Sequence, residues 1–320
     1  MIYGKIVGTG KYLPETILTN KDLEKMVDTT DEWIYSRTGI RNRRIATNDT
    51  NYEMAVKAGK EAIKSAGINP VDIDMIVVAT MSSEFAFPSV GCLVQKEIGA
   101  DNAMCFDLSA AWSGFIFALN TVNQYIVSGA VKTALIIGVE KLSHLLDWTD
   151  RNTCVLFGDG AGAAVVCASD EPGIIGVECK SVGSQYECLQ SRVKRVKTPF
   201  YEPEKYESLK MEGREVFQFA CTQVPECIAR LLEKENVKKE EVDYYVLHQA
   251  NIRIIKKIAK VLKEDINKFF INMENYGNTS AASVAIALDE FYKSNDLKGK
   301  QIVMAGFGAG LTYGATIIKF

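Results

Sequence analysis

At 320 residues, with 47% hydrophobic and 24% charged side chains, the chain has the balance of a globular protein with ample core. A net charge of −3 gives no general attraction to nucleic acid or an anionic membrane. The longest apolar runs fall short of the roughly 20 residues that a membrane helix needs.

The eight cysteines (92, 105, 154, 167, 179, 188, 221 and 227) form no CxxC pair and lie mostly in apolar patterns, the mark of reduced core thiols. With only His144 and His248 available, no metal site is expected. The opening MIYGKIVGTGKYLP runs directly into a strand pattern with no secretory leader, which points to the cytoplasm. GTGKYL at 8–13 lacks the third glycine of a dinucleotide fingerprint.

Apolar periodicity then predicts a helix over 53–66, the connection GINPVDID and a buried strand over 75–80. A helix over 88–99 and a strand over 103–107 follow. Next comes DLSAAWSGF, 107–115, which turns the chain into an apolar helix and leaves Trp112 at its start. Strands at 133–141 and 160–168 complete this set. RVKRVK, 192–197, reads as a solvated loop.

The phrase then repeats. A helix over 216–235 leads through NVKKEEVD to a strand over 244–249, a helix over 252–263, a strand over 268–273 and the helix after NYGNTSAAS. Strands at 301–308 and 312–320 close the chain. Two pseudo-repeated halves, 1–171 and 172–320, are expected. Continuous Val/Ile-rich strands alternating with helices imply an α/β fold, with two sheets sandwiched among helices in five layers.

Ligands in such folds gather beyond the carboxyl ends of the strands. Three stretches fall there: the Trp112 turn, HQAN with His248, and YGNTSAAS with Asn278. Alone, His248 is compatible with a satisfied core histidine and Asn278 with a helix N-cap. Together they suit paired donors to one developing negative charge, such as a thioester enolate. GFGAG, 306–310, offers backbone amides for a second such site, or a tight turn.

HQANIRII, YGNTSAAS, GFGAGLTYG, DTTDEWIYSRTGIRNR (28–43), FGDGAGAAV (157–165) and DLSAAWSGF together resemble β-ketoacyl-acyl carrier protein synthase III of the thiolase superfamily. The resemblance runs from GTGKYLPE to the last strand. It implies a thiolase-like fold and a homodimer. It also implies transfer of an acyl group from coenzyme A to a cysteine, then decarboxylative condensation with malonyl-carrier protein. Coenzyme A enters as a thioester substrate, and no resident cofactor is implied.

Residue by residue, the resemblance puts Trp112 at the nucleophile's position and assigns decarboxylation to His248 and Asn278. The backbone amides of Trp112 and Ala309 match its oxyanion hole. Thr29, Trp33, Arg37, Arg151, Gly213, Phe217 and Arg253 match coenzyme A contacts, with Trp33 and Arg151 placed to sandwich an adenine. Phe87, in FAFP, matches a residue reaching the partner's acyl pocket. Ala285 and Ala309 depart from the family's common proline and glycine.

Arg253, Lys256, Lys257, Lys260 and Lys263 recur at helical spacing opposite Ile255, Ile258 and Leu262. Such a stripe is either a solvated face or a docking surface for the acidic carrier protein.

A helix N-terminus in this family lowers a cysteine's pKa, and indole cannot be acylated. Cys105 lies in the preceding strand, expected to be central. Acyl transfer should therefore be absent or impaired. Trp112 is either an inactivating substitution in a synthase or the residue of a protein with another task. Malonyl decarboxylation, carrier-protein binding and acyl transfer in secondary metabolism are the alternatives. The indole is also expected to overpack the acyl pocket, at a cost of about 1–3 kcal/mol.

Overall fold

The structure, a computed structural model, describes residues 2–192, 197–202 and 208–320, so positions 193–196 of the basic run lie outside the described residues. Strand β1 (Tyr3–Tyr12) is followed by β2 (Thr16–Thr19), helices α1 (Asn20–Leu23) and α2 (Asp31–Thr38), and β3 (Asn42–Ile45), which pairs back on β2. Helix α3 (Asn51–Ala66) starts where Thr50 and Glu53 cap each other's backbone amides, and stops at Gly67 with φ of +65°. β4 (Met75–Ala79), α4 (Val90–Ile98), β5 (Met104–Leu108), α5 (Gly114–Val127), β6 (Thr133–Glu140) and β7 (Gly160–Ser169) follow.

These strands form a sheet of order β1-β7-β6-β4-β5, parallel across β6-β4-β5 and antiparallel at β7. Parallel neighbours need crossovers, and α4 and α5 supply them on opposite faces. Side chains alternate accordingly: Ile76 and Val78 pack with α3 and α4, while Met75, Val77 and Ala79 pack with α5. Both faces being covered explains why β4 reads as an unbroken apolar run.

The second sheet repeats the plan. β8 (Ile174–Ser181), the small pair β9 (Leu189–Gln190) and β10 (Lys210–Met211), α6 (Gly213–Lys234), β11 (Tyr244–Leu247) and α7 (Ile252–Leu262) come first. α8 (Met273–Tyr276), α9 (Ala282–Ser294), β12 (Gln301–Gly308) and β13 (Thr312–Lys319) complete it. Its order, β11-β12-β13-β8, mirrors β4-β6-β7-β1, with the parallel pair and both antiparallel pairs in matching places. α5 and α9 lie between the sheets, α3 and α4 outside one, α6 and α7 outside the other. This is the five-layer thiolase-like arrangement that the sequence predicts.

Two expectations are corrected. The run 268–273 is not a strand: it touches β11 at a single bridge, Tyr245 to Phe269, and then enters α8. The Gln249 side chain stands in for the ladder there, donating to Leu247 O (2.8 Å) and Phe270 O (3.1 Å) and accepting from Asn272 N (3.0 Å). β5, which carries Cys105, is an edge strand rather than a central one, and Met104 on it is exposed.

The start of α9 presses closely onto the first sheet. A Cβ at Gly138 of β6 would stand 2.3 Å from Ala281 O, so only glycine permits this approach. That contact holds the Asn278 turn of one half against the strand ends of the other.

Candidate active site

Three chain segments meet at one cavity of about 90 Å³, lined by Trp112, His248, Asn278, Phe157, Phe307, Gly213 and Phe217 among others. His248 follows β11 directly, and its amide continues the ladder to Ala305 O at 2.8 Å. Asn278 lies between α8 and α9, tied through its backbone to Leu156 O (2.9 Å) and Gly158 N (3.0 Å). It is not an N-cap, since that place belongs to Ala281. Trp112 sits in a 3-10 turn, Ala111–Ser113, just ahead of α5, and is only 3% exposed.

His248 is a neutral base by construction. Complete burial pushes its pKa down to about 3. Its Nδ1 lies 2.5 Å from Ser283 Oγ, which itself accepts the Gln249 amide at 3.4 Å. If the Ser283 hydroxyl donates to Nδ1, the ring's hydrogen is on Nε2. Phe307 packs against the imidazole with ring centres 5.1 Å apart.

Asn278 Oδ1 accepts from Trp112 Nε1 and from Ser280 N, both at 3.0 Å. Two donors on one atom assign it as the carbonyl oxygen and leave Nδ2 as the donor. With the imidazole hydrogen on Nε2, the cavity would hold two neutral donors, suited to an enolate oxygen. Among the described residues no cysteine lines it.

The indole is buried inside the site. It lies against Gly308, where a Cβ would meet Trp112 Cβ and N at 2.7 Å, and tilts on Phe157 at 6.0 Å. The same approach sets the Trp112 amide beside the strand end that leads to Ala309. Thr312 Oγ1 ties these two segments, lying 3.2 Å from Ala110 O and 3.0 Å from Ala309 O and accepting from Ser113 Oγ at 2.8 Å.

The residues matched to coenzyme A fall into two groups. Gly213 and Phe217 line the cavity, because α6 begins at 213 rather than 216, and the Arg253 guanidinium lies 5.6 Å from the Phe217 ring. Trp33, Arg37 and Arg151 form a second cluster. Both guanidiniums sit over the indole, at 4.9 and 5.2 Å, so in this structure Arg151 takes the face expected to receive an adenine. Thr29 Oγ1 is buried with no hydrogen-bond partner among the described residues. Gly39, closing α2, abuts Ile252 of α7 and so joins the two groups.

On α7, Arg253, Lys256, Lys257, Lys260 and Lys263 are all exposed, while Ile254, Ile255, Ile258 and Ala259 are buried. Phe87 is 86% exposed. Among the described residues no helix is long and apolar enough to cross a membrane, and no cluster of metal-binding side chains occurs. Sequence reasoning missed Ser280, Ser283 and Glu140, which brace Asn278 and His248 from behind. The acid ending the apolar run TALIIGVE was the one available signal.

Comparison with known proteins identifies the family. Residues 106–183 match the family model described as 3-oxoacyl-[acyl-carrier-protein (ACP)] synthase III, and residues 232–320 match its C-terminal counterpart. The β-ketoacyl-[acyl-carrier-protein] synthase III of Clostridium acetobutylicum is 50% identical over 319 residues, covering 99% of this chain and 98% of that protein. The crystal structure of the synthase III from Aquifex aeolicus superposes with a TM-score of 0.93 at 45% identity, covering 99% of this chain and all of that one. The priming β-ketosynthase of the R1128 polyketide pathway superposes equally well, 0.93 at 37% identity, over 99% of this chain and 96% of that one. The chain therefore belongs to the 3-oxoacyl-[acyl-carrier-protein] synthase III family.

Proposed function

We propose that this chain is a β-ketoacyl-acyl carrier protein synthase III scaffold whose condensation step is disabled at Trp112. In the parent reaction a short acyl group passes from coenzyme A to a cysteine thiolate. Malonyl-carrier protein then loses its carboxylate as carbon dioxide, and the electron pair left behind forms an enolate. That carbanion attacks the acyl-cysteine and expels the thiolate, giving 3-oxoacyl-carrier protein. His248 Nε2–H and Asn278 Nδ2 stabilise the enolate, and the amides of Trp112 and Ala309 receive the oxyanion of the attacked thioester. The chain as given lacks only the nucleophile. A cavity lined by His248, Asn278 and Trp112, and by no cysteine among the described residues, carries this reading.

The rest of the reading follows the family. Thr29, Trp33, Arg37, Arg151, Gly213, Phe217 and Arg253 receive coenzyme A, Phe87 reaches the acyl pocket of a second copy in a homodimer, and the α7 cations receive the carrier protein. The enzyme needs no resident cofactor or metal and works in the cytoplasm.

Decarboxylation without condensation is a second reading. The Trp112 hydrogen bond fixes the Asn278 carboxamide in the donating orientation, which favours it. The enolate is then protonated by water to acetyl-carrier protein.

The test compares the protein as given with Trp112→Cys in condensing acetyl-CoA with malonyl-carrier protein. Product only from the cysteine variant supports the disabled synthase. Carbon dioxide released by the parent without an acyl donor, and abolished by His248→Ala, supports the decarboxylase. No condensation from either variant sinks the disabled synthase, and no carbon dioxide as well sinks the decarboxylase and leaves a carrier-protein binder.

A further inference from the structure

Glu140 ends β6 with its carboxyl fully buried, and every group that meets it is neutral. Oε2 accepts from Ser82 Oγ, Met81 N (3.3 Å) and Thr80 Oγ1 (3.5 Å), and Oε1 accepts from Ser280 Oγ (3.2 Å). The neighbouring cation turns away: Lys141 Nζ donates to Asp49 O at 2.7 Å and approaches Glu84 at 3.7 Å. Burial pushes the acid's pKa up to about 7. A lone buried acid is an expensive way to fill space, since an apolar side chain needs no such desolvation.

What it holds is the turn beside Asn278. Ser280 has φ of +51°, a left-handed conformation that is unfavourable for a residue with a Cβ unless its surroundings impose it. It is fixed at both ends. Its hydroxyl goes to Glu140, and its amide goes to Asn278 Oδ1 at 3.0 Å. Glu140 is thus two hydrogen bonds from the carboxamide, and it reaches that carboxamide from the opposite half of the molecule.

We propose that Glu140 is a positioning residue for Asn278: through Ser280 it fixes the carboxamide with its oxygen held away and its Nδ2 free to donate. The catalytic consequence rests on the reading of Asn278 as an enolate donor; the geometric link does not.

The indole of Trp112 gives the link a direct readout, because its N–H donates to the same Oδ1. In ¹⁵N-labelled protein the Trp112 indole resonance is identified by its loss in Trp112→Phe, with Trp33 and Trp148 as internal controls. Ser280→Ala and Glu140→Leu are expected to shift or broaden the Trp112 resonance and leave the other two in place. Glu140→Gln, which keeps an acceptor for the Ser280 hydroxyl, is expected to return it towards the parent position. Carbon dioxide release from malonyl-carrier protein should fall on the order of tenfold or more in kcat in the first two variants, with KM little changed, and Glu140→Gln should recover most of the loss.

An unmoved Trp112 resonance in folded Ser280→Ala and Glu140→Leu overturns the proposal. Should Glu140→Leu fail to fold, Ser280→Ala decides alone, since it removes a single hydroxyl. A moved resonance in a protein whose parent releases no carbon dioxide upholds the positioning and overturns the decarboxylase reading; if Trp112→Cys also gives no condensation product, the reading of Asn278 as an enolate donor falls with it.

Discussion

Trp112 Nε1 donates to Asn278 Oδ1 at 3.0 Å, joining the residue proposed to stand in the nucleophile's place to one of the two proposed enolate donors. The indole is 3% exposed, rests on Phe157 and lies where Gly308 leaves room. It is packed into the site, with its N–H satisfied. Trp112→Cys should therefore destabilise the fold by about 2–4 kcal/mol, through lost buried area and a lost hydrogen bond, while condensation rises by at least about 10³-fold over background. Thermal melting and 3-oxoacyl product formation check the two halves separately. A cysteine variant more stable than its parent would show that the indole strains the site.

His248 opposes stability in acid. Folded, it stays neutral down to about pH 3, whereas in the unfolded chain it takes up a proton below about 6.5. The unfolded state binds the extra proton between those limits, so this contribution to stability is present above pH 6.5 and lost as pH falls towards 3. Relative to His248→Asn, the parent should lose about 1 kcal/mol for each pH unit between 6 and 4 in denaturant unfolding. A difference that stays constant with pH would mean that the imidazole is not held neutral.

Glu140 has the opposite slope. Its pKa rises from 4.5 to about 7 on folding, so the folded state holds the proton that the unfolded chain has released. This contribution is present below pH 4.5 and lost as pH rises through 7, on the order of 3 kcal/mol in all. Glu140→Gln carries no proton to lose, so it should gain stability over the parent from pH 5 to 8. Equal unfolding free energies across that range would place a proton-independent group at this site.

The order of elements was legible because β4, β6 and β12 are buried on both faces and read as strands whatever the register. His248 and Asn278 were legible for a related reason: strand ends and helix starts in a doubled α/β plan are where side chains converge. What escaped was polar substitution of backbone. The run KFFINM has strand composition, but Gln249 takes over its hydrogen bonds with a side chain, which no periodicity records. The edge position of β5 escaped because Phe106 and Cys105 still pack on either face of it. Ser280 and Ser283 lie in a stretch whose small residues all read as turn and helix, and only the folded contacts separate their two roles.

Ser283 is the side chain placed to choose which nitrogen of His248 carries hydrogen: its Oγ lies 2.5 Å from Nδ1, and a hydroxyl donating there leaves the hydrogen on Nε2. Ser283→Ala frees Nδ1 to carry the proton itself and leaves Nε2 as an acceptor facing the enolate. Carbon dioxide release from malonyl-carrier protein should drop roughly 10- to 100-fold, with binding of the thioester nearly unchanged. Ser283→Thr, which keeps the hydroxyl, is the control. Full activity in Ser283→Ala would show that the tautomer is set from elsewhere.

The exposed stripe of α7 supports a separate expectation about rates. Its four buried apolar residues anchor the helix, so Arg253, Lys256, Lys257, Lys260 and Lys263 present fixed positive charge beside the cavity that Phe217 lines. Exposed charges of this kind act across about 10 Å at 0.1 M salt, which affects encounter more than the bound state. Lys256→Glu with Lys260→Glu reverses two of them without touching the buried face. Association with an acidic carrier protein should slow about tenfold at low salt, with the gap closing above roughly 0.5 M, while turnover at saturating carrier stays near the parent value. Stopped-flow association at two ionic strengths separates the outcomes. A slowdown independent of salt would mean that the helix itself had shifted, and no slowdown would leave the stripe as a solvated face.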